Sequence, residues 1–156
     1  MSRLMTILIP LLPLLLIAVP VDAADDPLSF VQAFVDARNS GDIAAAAPLM
    51  ADDTVFVGGP GCTAANPCVG AEAHLAELQG FSALHAHVTL VSPRASGSTV
   101  QARTESQNDL TRAAGVDRTL ADLTAEVHDG KITTWRSIQD PNDPQNQAVQ
   151  AYLLRS

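Results

Sequence analysis

The feature that most constrains this chain is a change of hydrophobic period near residue 84. Before it, apolar side chains recur at helical spacing; after it, they alternate with polar ones for most of the remaining length. Leu84, Ala86, Val88 and Leu90 alternate with His85, His87, Thr89 and Val91, which predicts a strand over 84–92 with one buried face. Residues 93–98 read as a turn. A second strand over 99–107 carries Val100, Ala102 and Thr104 on one face and Gln101, Arg103 and Glu105 on the other. After a loop at 111–116, strands over 118–127 and 131–139 flank His128-Asp129-Gly130, and Asp-Gly is a strong hairpin signal because both turn positions need positive φ.

The first half supplies helices. Asp26-Pro27 reads as an N-cap followed by proline at the first helical position, and Phe30, Val31, Phe34, Val35 and Ala37 form one stripe up to Gly41. Asp42 caps a second, Ala-rich helix over 42–50. A β-like segment at 54–57 leads into a Gly/Pro-rich loop at 58–70, then a helix over 71–79 predicted to bury Leu75 and Leu78. Helices followed by antiparallel strands specify an α+β layer, a cone-shaped curved antiparallel sheet with the N-terminal helices packed on one side. The hollow of such a cone is a natural small-molecule site.

Residues 1–23 have the layout of a secretory signal peptide: Arg3, an apolar run interrupted by Pro10 and Pro13, then Val21-Asp22-Ala23 at the cleavage position. The run is too short and broken for a stable membrane anchor. The expected domains are therefore a signal peptide, 1–23, and a folded domain, 24–156, secreted or periplasmic. Cleavage removes one base and one acid, Arg3 and Asp22, so the formal charge of -8 is unchanged. That charge, with Lys131 and scattered arginines as the only fixed cations, argues against nucleic acid as a partner. Cys62 and Cys68 are the only cysteines, and in an oxidising compartment they are expected to form a local disulfide. A zinc site is the alternative for two thiolates, but no second cysteine pair accompanies them.

His85 and His87 share a strand face without a third ligand spaced to complete a metal site, so neither a metal nor another cofactor is expected. His74 and His128 read as exposed. Gly58, Gly59 and Gly61 are not a phosphate loop, because no Gly-Lys-Ser/Thr follows them.

Several segments together, Phe30 to Phe34, Asn39-Ser40-Gly41-Asp42, Leu49-Met50-Ala51-Asp52-Asp53-Thr54-Val55-Phe56, Val69-Gly70-Ala71 and Asp129-Gly130-Lys131-Ile132 through Trp135-Arg136, resemble the SnoaL-like branch of the nuclear transport factor 2 superfamily. The resemblance spans nearly the whole of 24–156. It implies the cystatin-like cone described above and a pocket for a small, largely apolar molecule, with homodimerisation a further option of the fold. Function follows less directly, since the superfamily holds isomerases, cyclases, epoxide hydrolases and non-catalytic binding modules.

Limonene epoxide hydrolases carry an Asp-Arg-Asp set. Arg103 and Glu105 resemble its first pair, but Ser137 stands where the second acid is required, and Phe56 and Gly58 replace the water-holding Tyr and Asn. Ketosteroid isomerases require an Asp base, a Tyr and a protonated Asp; the matching positions are Val57, Phe34 and Asp122, so only the last is kept. Polyketide cyclases place an acid-base Asp on the same strand. The resemblance thus nominates Asp122, assisted by Arg103 and Glu105, for proton transfer in a pocket lined by Phe34, Phe56, Trp135 and Ser137. The residues themselves leave a second reading of Asp122 open: it points outward with Leu123 inward, or pairs with Arg103 or Arg118.

Overall fold

The structure, a computed structural model, describes residues 26–155 apart from Pro60, so the signal-peptide expectation lies outside the described residues. Helix α1 spans Pro27–Asn39. Asp26 caps it by accepting a hydrogen bond from the Leu28 amide at 3.1 Å. Gly41, at φ +72°, turns the chain into α2, Ile43–Ala46, where Asp42 accepts from the Ala45 amide at 3.0 Å. A 3-10 turn, Ala47–Leu49, leads to β1, Met50–Val57.

Strand β1 thus begins before the predicted position 54, because Met50 already pairs with Ile132. Asp52 and Asp53 point to solvent, while Thr54 is buried with its hydroxyl 2.7 Å from the Ile132 carbonyl. A two-residue strand, β2 (Cys68–Val69), precedes helix α3, Ala71–Ala83. Strands β3 (His87–Ser96), β4 (Thr99–Gln107), β5 (Thr119–His128) and β6 (Lys131–Gln139) follow, with α4 (Asp109–Ala113) before β5 and α5 (Pro144–Leu153) after β6.

The sheet has six strands in the order β2-β1-β6-β5-β4-β3. Neighbours are antiparallel except β1 and β6, which run parallel. This is the expected mixed α+β fold, a curved sheet with helices on one side. The Asp129-Gly130 hairpin forms as expected, with both residues at positive φ.

Other limits differ from the sequence expectation as well: helix α3 runs on to Ala83 with Leu84 as its C-cap, so β3 starts at His87 and not at Leu84. Strand β3 continues through Pro93 instead of turning there. It is an edge strand, where a missing N–H is tolerated, and its register slips between Val91 and Arg94. Part of the predicted 111–116 loop belongs to α4, which Asn108 starts with a reciprocal pair of hydrogen bonds to Thr111.

Helix α3 is rotated from expectation. Its buried stripe is His74, Glu77, Leu78 and Phe81, at helical spacing, and Leu75 is left 39% exposed. His74, expected at the surface, is therefore buried. Val31, Phe34 and Val35 of α1 pack onto the inward-facing Val100, Leu123, Ala125 and Trp135 to form the core. Among the described residues, no helix is long and apolar enough to cross a membrane.

Candidate functional site

Between the inner face of the sheet and the helices lies a cavity of about 600 Å³, a volume typical of small-molecule sites. Phe81, Leu84, Ala86, Val88 and Ala121 give it largely apolar walls. Helix α5 contributes Val149 and Leu153. It is held there by Asn146, which accepts from the Leu120 amide at 2.8 Å and donates to the Leu120 carbonyl at 2.7 Å.

The disulfide between Cys62 and Cys68 is present, with Cα atoms 5.1 Å apart. It ties down the loop after β1, whose Cys62, Thr63 and Ala64 form part of the cavity rim. Gly58 lets that loop lie against β6: at φ +125°, a Cβ there would come within 2.3 Å of the Ser137 carbonyl oxygen. A Cβ on Gly59 would press on Glu77 at 3.0 Å. Close approach thus explains Gly58 and Gly59, while Gly61, with nothing within 4 Å of a Cβ, sits at φ +85°.

One end of the cavity is polar. Arg38, on the apolar stripe of α1, forms an ion pair with Glu77 of α3, and the two side chains are only 7% and 2% exposed. The guanidinium carbon stands 3.8 Å from the centre of the Phe81 ring, a cation–π contact, and 5.9 Å from that of Trp135. Phe56 and Trp135 stack in parallel behind it, 6.3 Å apart.

Burial drives the Glu77 carboxyl above the ordinary range, and the charge and hydrogen bond of Arg38 oppose that rise. Burial, and secondarily the Arg38 charge, pushes His74 down to about 4, so its imidazole is neutral at pH 7. Arg38 Nε, Glu77 Oε2, Trp135 Nε1 and both ring nitrogens of His74 are buried with no hydrogen-bond partner among the described residues.

The acids and base nominated from sequence lie elsewhere. Strand β5 points Ala121, Leu123 and Ala125 inward, so alternation places Asp122 on the opposite face, with its side chain 75% exposed. Asp122 lies 3.4 Å from Arg103 Nε, and Arg103 also donates to Asp140 at 2.8 Å. Glu105 faces the same way, 3.6 Å from Arg118. The three form part of an exterior ion-pair network and do not enter the cavity. Phe56, Trp135 and Ser137 are among the residues that line it. Phe34 does not: fully buried, it packs edge-on against Trp135 at 5.1 Å as a core residue.

His85 also leaves the strand face predicted for it, adopting φ +47° and approaching Asp109 at 2.8 Å. Among the described residues, no group of three or more His, Cys, Asp or Glu side chains is placed to hold a metal ion.

The model of the SnoaL-like domain matches residues 31–135. The chain belongs to the SnoaL-like family. No curated protein matches its sequence. Solved structures agree with the fold. An NTF2-like protein of unknown function from Cytophaga hutchinsonii superposes with a TM-score of 0.59 at 16% identity, covering 74% of this chain and 91% of that one. A limonene-epoxide-hydrolase-like epoxide hydrolase from M. tuberculosis gives 0.62 at 20%, covering 82% and 87%. SalBIII, an epoxide hydrolase/cyclase-like enzyme of pyran-ring formation in salinomycin, gives 0.63 at 15%, covering 75% and 92%. At these identities the likeness is one of fold, and the site of this SnoaL-like protein has to be read from its own residues.

Proposed function

We propose that this SnoaL-like protein is exported and binds a small, largely apolar molecule in its conical cavity, with a polar group of that molecule held at the Arg38–Glu77 end. The observation that carries the reading is a cavity of about 600 Å³ with apolar walls and a buried ion pair at one end. Two buried charges are costly in a pocket that serves only packing, because apolar residues of similar size are often neutral or stabilising replacements. The disulfide at the rim suits an oxidising compartment.

Trp135 is the only tryptophan and lines the cavity, so its emission reports occupancy directly. Titrating the protein beginning at Ala24 with apolar small molecules should give a saturable change in Trp135 emission. Filling the cavity through Ala121→Phe should abolish that change. An emission that stays flat, or that responds equally in the filled variant, would refute the reading.

Proton transfer at the same end is the second reading, favoured by Glu77: an acid raised by burial, with one carboxylate oxygen unpartnered. The exposed Asp122 has no comparable setting. Turnover of an epoxide or enone that persists in Glu77→Gln would eliminate it.

A further inference from the structure

The floor of the cavity is the inner face of β4, β5 and β6, and its chemistry changes along the strands. Where α1 covers it, the residues in register are Val100, Ala125 and Trp135. In the next row Ser137 stands opposite Leu123. The row after that holds Thr104, Ala121 and Gln139, and beyond it Ser106 stands opposite Thr119. Five neutral hydrogen-bonding side chains thus surround Ala121, and all five line the cavity. Across the strands the pattern is polar on β4 (Thr104, Ser106), apolar at Ala121 of β5, and polar on β6 (Ser137, Gln139). Neighbouring strands lie about 4.8 Å apart, so the two polar edges are separated by about 10 Å.

These groups are reachable from the cavity. Ser106 and Ser137 are half-buried, and their hydroxyls have no hydrogen-bond partner among the described residues. Gln139 is exposed, and its amide oxygen accepts a long bond of 3.4 Å from Gln150. Thr104 and Thr119 are buried, yet each hydroxyl makes one bond of 3.4 Å, to the carbonyls of Ala121 and Ser106. That length is weak for a hydroxyl donor. Valine would fill the same space without desolvating a hydroxyl, so packing does not account for threonine at two buried positions. Among the other neutral polar residues of the wall, Asn108 and Thr111 bond each other at the start of α4, and Thr63 bonds the Asn66 amide.

Given that the cavity is a binding site, we infer that its ligand lies across β5 and carries neutral oxygen functions at two opposite ends of an apolar skeleton. One end meets Thr104 and Ser106, the other Ser137 and Gln139. The Arg38–Glu77 end takes no part in these contacts. A ligand hydroxyl both donates and accepts, as do serine and threonine hydroxyls and a glutamine amide, so a diol suits either edge in either orientation. A hydrocarbon in the same place displaces water from these groups and leaves them unpaired. Charge restricts the class further. Among the described residues Arg38 and Glu77 are the only charged ones in the wall, and they neutralise each other, so an ionised ligand group finds no counter-charge at either edge.

Naphthalene, 2,6-dihydroxynaphthalene and naphthalene-2,6-dicarboxylate, measured by titration calorimetry at pH 7, share one flat skeleton and differ at its two ends. Thr104→Val/Ser106→Ala strips one edge and Ser137→Ala/Gln139→Leu the other. The affinity for the diol relative to naphthalene should fall about fivefold in each variant, the increment of one neutral hydrogen bond, and about 25-fold when the two are combined. The dicarboxylate should bind more weakly than the diol. Naphthalene binding reports that a variant is folded; where a double variant lacks it, Ser106→Ala and Ser137→Ala alone read the same edges.

A diol-to-naphthalene ratio within about twofold of the natural protein's in both edge variants would overturn the inference and leave the apolar cavity standing. A loss confined to one edge would overturn the pose across β5, and a dicarboxylate that binds as tightly as the diol would overturn the neutral class. If naphthalene does not bind the natural protein, or binds Ala121→Phe equally well, the cavity reading itself falls and takes the inference with it.

Discussion

His74 offers a quantitative test of how the polar end is buried. Its side chain lies among Phe34, Phe56 and the Arg38 guanidinium, with ring centres 5.7 and 5.2 Å away, and neither nitrogen has a partner among the described residues. Burial and the neighbouring positive charge hold it at about 4 instead of the usual 6.5. The folded state therefore resists protonation through a range in which the unfolded chain accepts the proton. Stability is lost as pH falls from about 6.5 towards 4, with little further loss from this group below that.

For a single site with those two values, lowering the pH from 7 to 5 costs about 2 kcal/mol, and the full shift corresponds to about 3 kcal/mol. Urea unfolding followed by far-UV circular dichroism at half-unit pH intervals would measure this in the natural protein and in His74→Leu. Leucine has a similar volume and removes two orphaned nitrogens, so the variant should be at least as stable at pH 7. At pH 5 it should exceed the natural protein by about 2 kcal/mol more than at pH 7. The shifts that hydrogen bonds impose on Asp109 and Asp143 lie lower and are common to both proteins, so they cancel in the difference. Parallel stability curves across pH 7 to 5 would refute a buried, neutral His74.

Truncating one member of the buried pair strands the other charge, so Arg38→Leu or Glu77→Leu alone should each cost about 3–5 kcal/mol in urea unfolding. The joint change should cost far less than their sum; additivity would mean the two side chains are not coupled. Replacing Cys62 and Cys68 by serine should lower stability by less than about 3 kcal/mol, given the short span enclosed, and weaken probe binding through the loosened rim; unchanged calorimetric affinity would show that the staple does not shape the cavity. Asp122→Asn should leave probe affinity intact and shift stability by no more than about 0.5 kcal/mol, as expected for an exposed ion pair; a large loss of binding would return Asp122 to the site.

The fold was legible because local chemistry and tertiary demand agree: Asp26-Pro27 caps α1, Asp129-Gly130 makes the hairpin, and alternation assigns inner and outer faces over β4 and β5. The phase of Thr119, Ala121, Leu123, Ala125 and Val127 carries the outward reading of Asp122, which the sequence leaves open beside the inward one. The family resemblance pulled Asp122 inward, against the more local and more physical signal. Arg38 and Glu77 escaped because they are 39 positions apart and each, taken singly, resembles an ordinary solvated helix charge. Yet each sits on the phase of a buried stripe: Val31, Phe34, Val35, Arg38 in α1 and His74, Glu77, Leu78, Phe81 in α3. A charge at a core-facing position must find an opposite charge or ionise less readily. Two adjacent helices that each carry one such charge, of opposite sign, therefore point to an internal pair through the spacing of their residues alone. In a family whose fold surrounds a cavity, that pair marks a more informative place to look for the site than a match to a relative's catalytic strand.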